Sequence, residues 1–283
     1  MAVSPEDGET DVAVDGVRSV VTVGGRPGSD SAVVFVHGAL GSRRDWATLV
    51  EEVAAFGRAV APDMPGYGDA DKPEAFDYTT QGYARHLGGL LEELGIRRAH
   101  LVLHDLGGPW GLAWAAEHPD ALASLSLINI GALPGYRWHR YARMYRRRGL
   151  GELLLASATP SGVALLLRWG NPRGLPREYT DGMVRQCRVA GTRRAVLRYY
   201  RATPDLGSVT ERASLALRAA NPPTMVIWGA QDPYVPVRFA DIQTRFFASA
   251  EVVILPESGH WPFIDDREGV AAQLIPFLRA QTR

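Results

Sequence analysis

Asp105 ends the apolar run Leu101-Val102-Leu103-His104 and is followed at once by Leu106-Gly107-Gly108. Read as a buried strand turning sharply into a helix, this is a nucleophile elbow, a turn that holds one side chain clear of the backbone. Serine is the commoner occupant of such a turn. A carboxylate there does different chemistry, because it attacks an electrophilic sp³ carbon and becomes an ester itself. A plain helix N-cap would also put Asp at a strand–helix boundary, so the partners decide. Asp232 lies in Gly229-Ala230-Gln231-Asp232-Pro233, just past a second apolar run, and His260 lies in Ser258-Gly259-His260-Trp261-Pro262, just past a third. In that order the three supply an attacking group, an acid that orients a base, and the base that activates water.

The elements that must position them follow from periodicity. Val12 to Val23 reads as one or two strands broken by a turn at Asp15-Gly16, and apolar runs of strand length recur near 32–36, 59–63, 100–103, 125–130, 224–228 and 252–255. Helical spacing fills 83–94, 109–117 and 270–280. This alternation predicts an α/β fold, a mostly parallel sheet flanked by helices. It sets Asp105, Asp232 and His260 at carboxyl ends of strands, where open α/β sheets carry their sites. From 133 to about 216 the rhythm breaks into helical patterns rich in arginine and aromatics. The expected organisation is a core of 1–132 and 217–283, with a helical cap of 133–216 inserted after the sixth strand. Within the cap a helix is predicted over 136–148, with Trp138, Tyr141 and Tyr145 along one side facing a buried space.

Composition narrows the function classes. The 31 basic and 31 acidic residues cancel, so no overall field recruits nucleic acid or an anionic membrane. Cys187 is the only cysteine; it can form no intrachain disulfide and no cysteine metal site, and it reads as a small buried apolar residue. Residues 1–15 are acidic and polar, without the basic and apolar pattern of a signal peptide, and no 18-residue apolar window occurs. The expectation is a soluble cytoplasmic protein, monomeric or homodimeric, acting on a small apolar or aromatic molecule.

Together these motifs resemble the α/β-hydrolase superfamily over essentially the whole chain. Within it, His104-Asp105-Leu106-Gly107-Gly108 is similar to the aspartate-nucleophile branch, the epoxide hydrolases and haloalkane dehalogenases. The resemblance implies an oxyanion hole from the backbone of Ala39, in His37-Gly38-Ala39-Leu40, and of Leu106, and it implies no metal or organic cofactor. The stretch Gly191 to Arg201 is similar to an epoxide-hydrolase cap motif whose tyrosine before the last arginine hydrogen-bonds the epoxide oxygen, which maps to Tyr200. A second such tyrosine would come from the first part of the cap, with Tyr141 and Tyr145 both open. Trp138, Trp110 and Trp261 complete the expected substrate-facing set.

The departures are informative. Epoxide hydrolases commonly carry proline where Leu40 stands. Dehalogenases usually carry tryptophan after the nucleophile and asparagine after His-Gly, both to hold halide; here those positions are Leu106 and Ala39. Loss of both halide donors points to epoxide opening through an ester on Asp105, which water activated by His260 cleaves to a vicinal diol. Alternatives are an epoxide-opening enzyme that builds a ring or carbon–carbon bond in biosynthesis, a dehalogenase, and a non-catalytic ligand receptor. Further aromatics at Trp169, Tyr179 and Tyr199 would suit a large polycyclic substrate. His104 is expected to point to the opposite strand face as a structural residue.

Overall fold

The computed structural model describes residues 8–282. Eight strands form one sheet in the order β1-β2-β4-β3-β5-β6-β7-β8: β1 (Gly8–Val14), β2 (Val17–Gly25), β3 (Ser31–Val36), β4 (Arg58–Pro62), β5 (Arg98–His104), β6 (Leu122–Ile128), β7 (Thr224–Gly229) and β8 (Ala250–Leu255). The first two form an edge hairpin, and β2 pairs antiparallel with β4. Its turn places Asp15 and Gly16 at φ of 50° and 77°, the two consecutive positive values that a tight hairpin turn needs. From β4 to β8 all pairings are parallel. Strands covered on both faces read as unbroken apolar runs. Val33–Val36, Leu101–Leu103 and Val226–Trp228 are accordingly buried throughout, each large aliphatic contributing roughly 1.5–3 kcal/mol relative to exposure.

Three helices alternate with these strands: α1 (Ala47–Ala54), α2 (Thr80–Glu93) and α3 (Gly107–Glu117). Six more lie between β6 and β7: α4 (Arg140–Tyr145), α5 (Leu150–Ala156), α6 (Pro160–Gly170), α7 (Arg177–Arg188), α8 (Ala190–Ala202) and α9 (Leu206–Leu217). Helices α4 to α8 pack on one another, while α9 packs on α3 in the core layer. Then come α10 (Arg238–Ile242), α11 (Pro262–Asp265) and α12 (Arg267–Gln281), the last beside α1.

The helix predicted over 136–148 is shorter, only Arg140–Tyr145. The His139 side chain caps it, accepting the Ala142 N–H at 3.3 Å, so Tyr136 to Trp138 approach as irregular chain. Gly149, at φ 79°, ends the segment and starts α5. Trp138, Tyr141 and Tyr145 still share one side, but a helix brings only the last two there.

Candidate active site

Asp105 follows β5 directly, at φ 46°, a left-handed conformation that non-glycine residues adopt mainly where surroundings impose it. Two glycines let the chain close around it. A Cβ on Gly107 would stand 2.4 Å from the Val36 carbonyl oxygen, and one on Gly38 would stand 2.5 Å from the Asp105 Cβ. In the loop after β3, the Ala39 N–H donates to Asp105 Oδ2 at 2.8 Å. Leu106 follows Asp105 and is buried; among the described contacts, Ala39 is the backbone donor engaged on the carboxylate.

Asp232 follows β7 and is 5 % exposed. Its Oδ1 accepts the N–H groups of Tyr234 and Val235, at 2.7 and 3.0 Å. Its Oδ2 accepts from Asn129 Nδ2 at 2.8 Å and from His260 Nδ1 at 2.7 Å. A carboxylate only accepts, so His260 carries a proton on Nδ1. His260 Nε2 then lies 3.7 Å from Asp105 Oδ1, too far for a hydrogen bond and near enough for an ion pair. Burial opposes charge on His260, but Asp232 and then Asp105 outweigh it and push its pKa up to about 10. Burial also works against the Asp105 carboxylate, yet His260 overrides it and holds the group below the usual carboxylate range. Charge on His260 is thus favoured by the two acids that flank it.

The loop bearing His260 is seated on the cap. The His260 N–H donates to the Gly170 carbonyl at 3.1 Å, and the Trp261 N–H donates to Asn171 Oδ1 at 3.2 Å. From below, His104 Nε2 donates to the His260 carbonyl at 2.8 Å, and burial pushes the His104 pKa down to about 3. His104 is thus a neutral strut, although its ring centre is only 4.8 Å from that of His260. A Cβ on Gly259 would fall 1.8 Å from the Gly170 carbonyl oxygen. Gly259→Ala is therefore expected to part this seam, lowering Tm by about 2–10 °C from an overpacking cost of ~1–3 kcal/mol and cutting turnover as His260 shifts. Thermal melts and steady-state rates check it; an unchanged Tm with full turnover would show that the seam does not position the histidine.

Between the strand ends and the cap lies a cavity of about 370 Å³, at the small end for ligand sites. Asp105, His260, Ala39, Trp138, Tyr141, Tyr145, Tyr200 and Trp261 all face it. Trp110 does not. It is fully buried, stacked on Tyr83 at 4.0 Å and edge-on to Tyr199 at 5.7 Å, because its turn of α3 faces α2 and α8 rather than the strand ends. Trp169 is exposed on the outside of the cap, Tyr179 reaches Asp45, and Tyr199 lies beside Thr80. The aromatic surroundings expected for a large polycyclic substrate are correspondingly reduced.

The Tyr200 ring lies 5.0 Å from Trp138 and 5.6 Å from Tyr145. Burial, and then the Asp105 charge, keep its phenol protonated well above the usual range. Tyr145 is half-buried, and desolvation, then Cys187, push its phenol above the usual range. The Tyr141 hydroxyl instead accepts from the exposed Arg140 guanidinium. Of the two open tyrosines, Tyr145 is the one beside Tyr200.

Three site residues escape sequence reasoning. Asn129, at φ 49° just past β6, accepts the Gly229 N–H at 3.0 Å and donates to Asp232. The only trace of it is a lone amide after a buried run. His139 faces the cavity; its Nδ1 is occupied as the acceptor of the α4 cap, so its neutral ring carries the proton on Nε2, and burial pushes its pKa down to about 4. Tyr234 lies between the two imidazoles, 5.0 Å from each ring. Among the described residues no group of three or more His, Cys, Asp or Glu is placed to hold a metal ion.

A strand-end carboxylate, histidine and acid under a helical cap define a hydrolase of the α/β class. Residues 31–267 match the family described as the alpha/beta hydrolase fold, and the chain belongs to that family. It is 29% identical over 261 residues to a dihydrolipoyllysine-residue acetyltransferase component of an acetoin-cleaving system from Pseudomonas putida, covering 91% of this chain and 65% of that protein. The chain thus spans just under two thirds of that relative's length. Its fold is similar to a haloalkane dehalogenase from Bradyrhizobium elkani, with TM-score 0.84, 24% identity and coverage of 97% and 98% of the two chains. It is likewise similar to an epoxide hydrolase, with TM-score 0.80, 19% identity and coverage of 96% and 98%.

Proposed function

We propose that this enzyme opens a compact apolar epoxide through an ester on Asp105 and hydrolyses that ester to a vicinal diol. The observation that carries the reading is the pairing, across one small cavity, of a backbone-held carboxylate with a buried, protonated phenol, Tyr200. Fold likeness does not choose between epoxide and halide, since both chemistries occur on similar folds. The residues do. An alkoxide leaving group needs a proton donor, whereas a halide needs only hydrogen-bond donors. The positions where dehalogenases carry donors hold Leu106 and Ala39, and the Trp138 indole N–H is committed to the Thr203 carbonyl at 2.8 Å.

In the first step Asp105 attacks an epoxide carbon, the C–O bond breaks, and Tyr200, assisted by Tyr145, gives a proton or hydrogen bond to the departing oxygen. In the second, His260 takes a proton from water and the hydroxide adds to the Asp105 ester carbonyl. The oxyanion rests on the Ala39 and Leu106 N–H groups; collapse passes the added hydroxyl's proton to the departing oxygen, releasing the diol and restoring the carboxylate, and the proton taken by His260 returns to Tyr200 or to water. A cavity of about 370 Å³ fits a small epoxide better than an elaborate metabolite.

Tyr200→Phe tests this. It is expected to slow alkylation by an epoxide about 10²–10³-fold, by analogy with deleting one oxyanion donor, while affecting an alkyl bromide far less. Wild-type enzyme that releases bromide readily and opens no epoxide would overturn the assignment. If Tyr200→Phe is neutral and Tyr145→Phe is severe, the reaction class stands and the acid moves to Tyr145.

A further inference from the structure

Two observations outside the site coincide on the cap. The first is charge. The net charge of zero averages over a segregation: residues 136–202 hold 15 arginines against Glu152, Glu178 and Asp181, a net +12, and the remainder of the chain carries −12. Among the described residues, ion pairs engage only Arg173, Arg177, Arg194 and Arg201 of those arginines.

The second is helix α6, Pro-Ser-Gly-Val-Ala-Leu-Leu-Leu-Arg-Trp-Gly, which is apolar on nearly every side. Val163, Leu166 and Leu167 face the cavity. On the opposite side Leu165 is 74% and Trp169 58% exposed, and their spacing of four puts them side by side. Leu153, on α5, is 65% exposed as well. A helix apolar all round is normally covered. Arg168 adjoins the pair, and the Arg140 guanidinium sits 4.8 Å over the Trp169 ring. Exposed tryptophan and leucine flanked by two arginines is the composition of an interfacial helix. At 11 residues α6 is about 16 Å long, half of a hydrocarbon core of ~30 Å, and no single described helix is long and apolar enough to cross a membrane. Its geometry suits lying in a surface.

We propose that this outer face of the cap docks on an anionic lipid surface, with Leu165 and Trp169 entering the headgroup boundary and the surrounding arginines meeting lipid phosphates. A nucleic acid would use the arginines but leave the apolar pair unexplained. Because α6 also walls the cavity, docking sets the cavity against the phase in which an apolar substrate concentrates. That consequence rests on the proposed function; the docking itself does not.

The test is flotation of the full-length protein with phosphatidylcholine vesicles, with and without phosphatidylglycerol. Binding is expected only to the anionic vesicles and is expected to fall as salt shortens the screening length. Leu165→Glu with Trp169→Glu should abolish it. Arg140→Gln and Arg168→Gln should each weaken it roughly fivefold, all with unchanged circular dichroism and Tm. Absence of vesicle binding overturns the proposal. So does binding that survives the Leu165/Trp169 change, which would mark a generic polyanion site. Self-association of the wild type that the same change dissolves would assign the face to a second copy instead. Epoxide turnover measured without vesicles should be unaffected by the Leu165/Trp169 change, so failure of the vesicle assay and failure of the reaction assignment register separately.

Discussion

His260→Gln is expected to stop the reaction halfway, with enzyme accumulating at a mass increased by that of the intact substrate and turnover reduced about 10⁴-fold or more. Attack by Asp105 needs no base, so the ester still forms; only its hydrolysis needs His260. The electrostatics add a timing element. In the free enzyme the His260 proton is supported by Asp232 and Asp105, and is held until pH rises through about 10. Alkylation neutralises Asp105 and removes one of those supports. The imidazolium then deprotonates at lower pH, becoming a base when a base is first required. Ester hydrolysis should therefore accelerate as pH rises through that lowered value, while ester formation stays level across neutral pH because Asp105 remains ionised there. In a single turnover of wild-type enzyme in ¹⁸O-water, label should enter the Asp105 carboxylate. Label confined to the diol would falsify the ester route, and unmodified, fully active His260→Gln would remove the histidine from it.

Asp232→Asn should be nearly as damaging, on the order of 10⁴-fold in turnover, for a reason legible in its four contacts. Tyr234, Val235, Asn129 and His260 all donate to this carboxylate. An amide offers one oxygen and one NH₂, so either orientation sets donor against donor. If the NH₂ faces His260, the imidazole is driven to the tautomer with its proton on Nε2, aimed at Asp105 and useless as a base. If it faces the loop, the Tyr234 and Val235 N–H groups lose their acceptor and the turn after β7 loosens. Rapid-quench kinetics should show a burst of alkylation followed by slow release. Turnover within tenfold of wild type would mean that Asp232 does not orient the base.

Asp105, Asp232 and His260 were readable because each follows a parallel strand, β5 and β7 buried and β8 a half-exposed edge, where an apolar run gives way to a polar residue set among glycine or proline. That pattern is local. Asn129 has the same placement and a glycine two residues on, but an amide is neither acid nor nucleophile, and its role exists only because β6 and β7 are neighbours in the sheet. His139 and Tyr234 meet over a separation in sequence that no periodicity reports. Trp110 misleads for the opposite reason: its closeness to Asp105 in sequence suggests closeness in space, but a helix turns it toward Tyr83. The overlong 136–148 helix arises because Trp138, Tyr141 and Tyr145 satisfy helical spacing, although Trp138 arrives on irregular chain.

The hydrogen bond from the His260 N–H to the Gly170 carbonyl ties the base to the last turn of α6. Were that end of the cap to lift, the histidine loop would lose its upper anchor while Asp105, fixed by the sheet and by Ala39, stayed in place. The two residues thus differ in support: Asp105 is held by the core alone, whereas the His260 loop is held by Asp232 and His104 below and by the cap above. On the proposed mechanism, loss of that anchor should slow ester hydrolysis before it slows ester formation, because the first needs His260 and the second needs only Asp105.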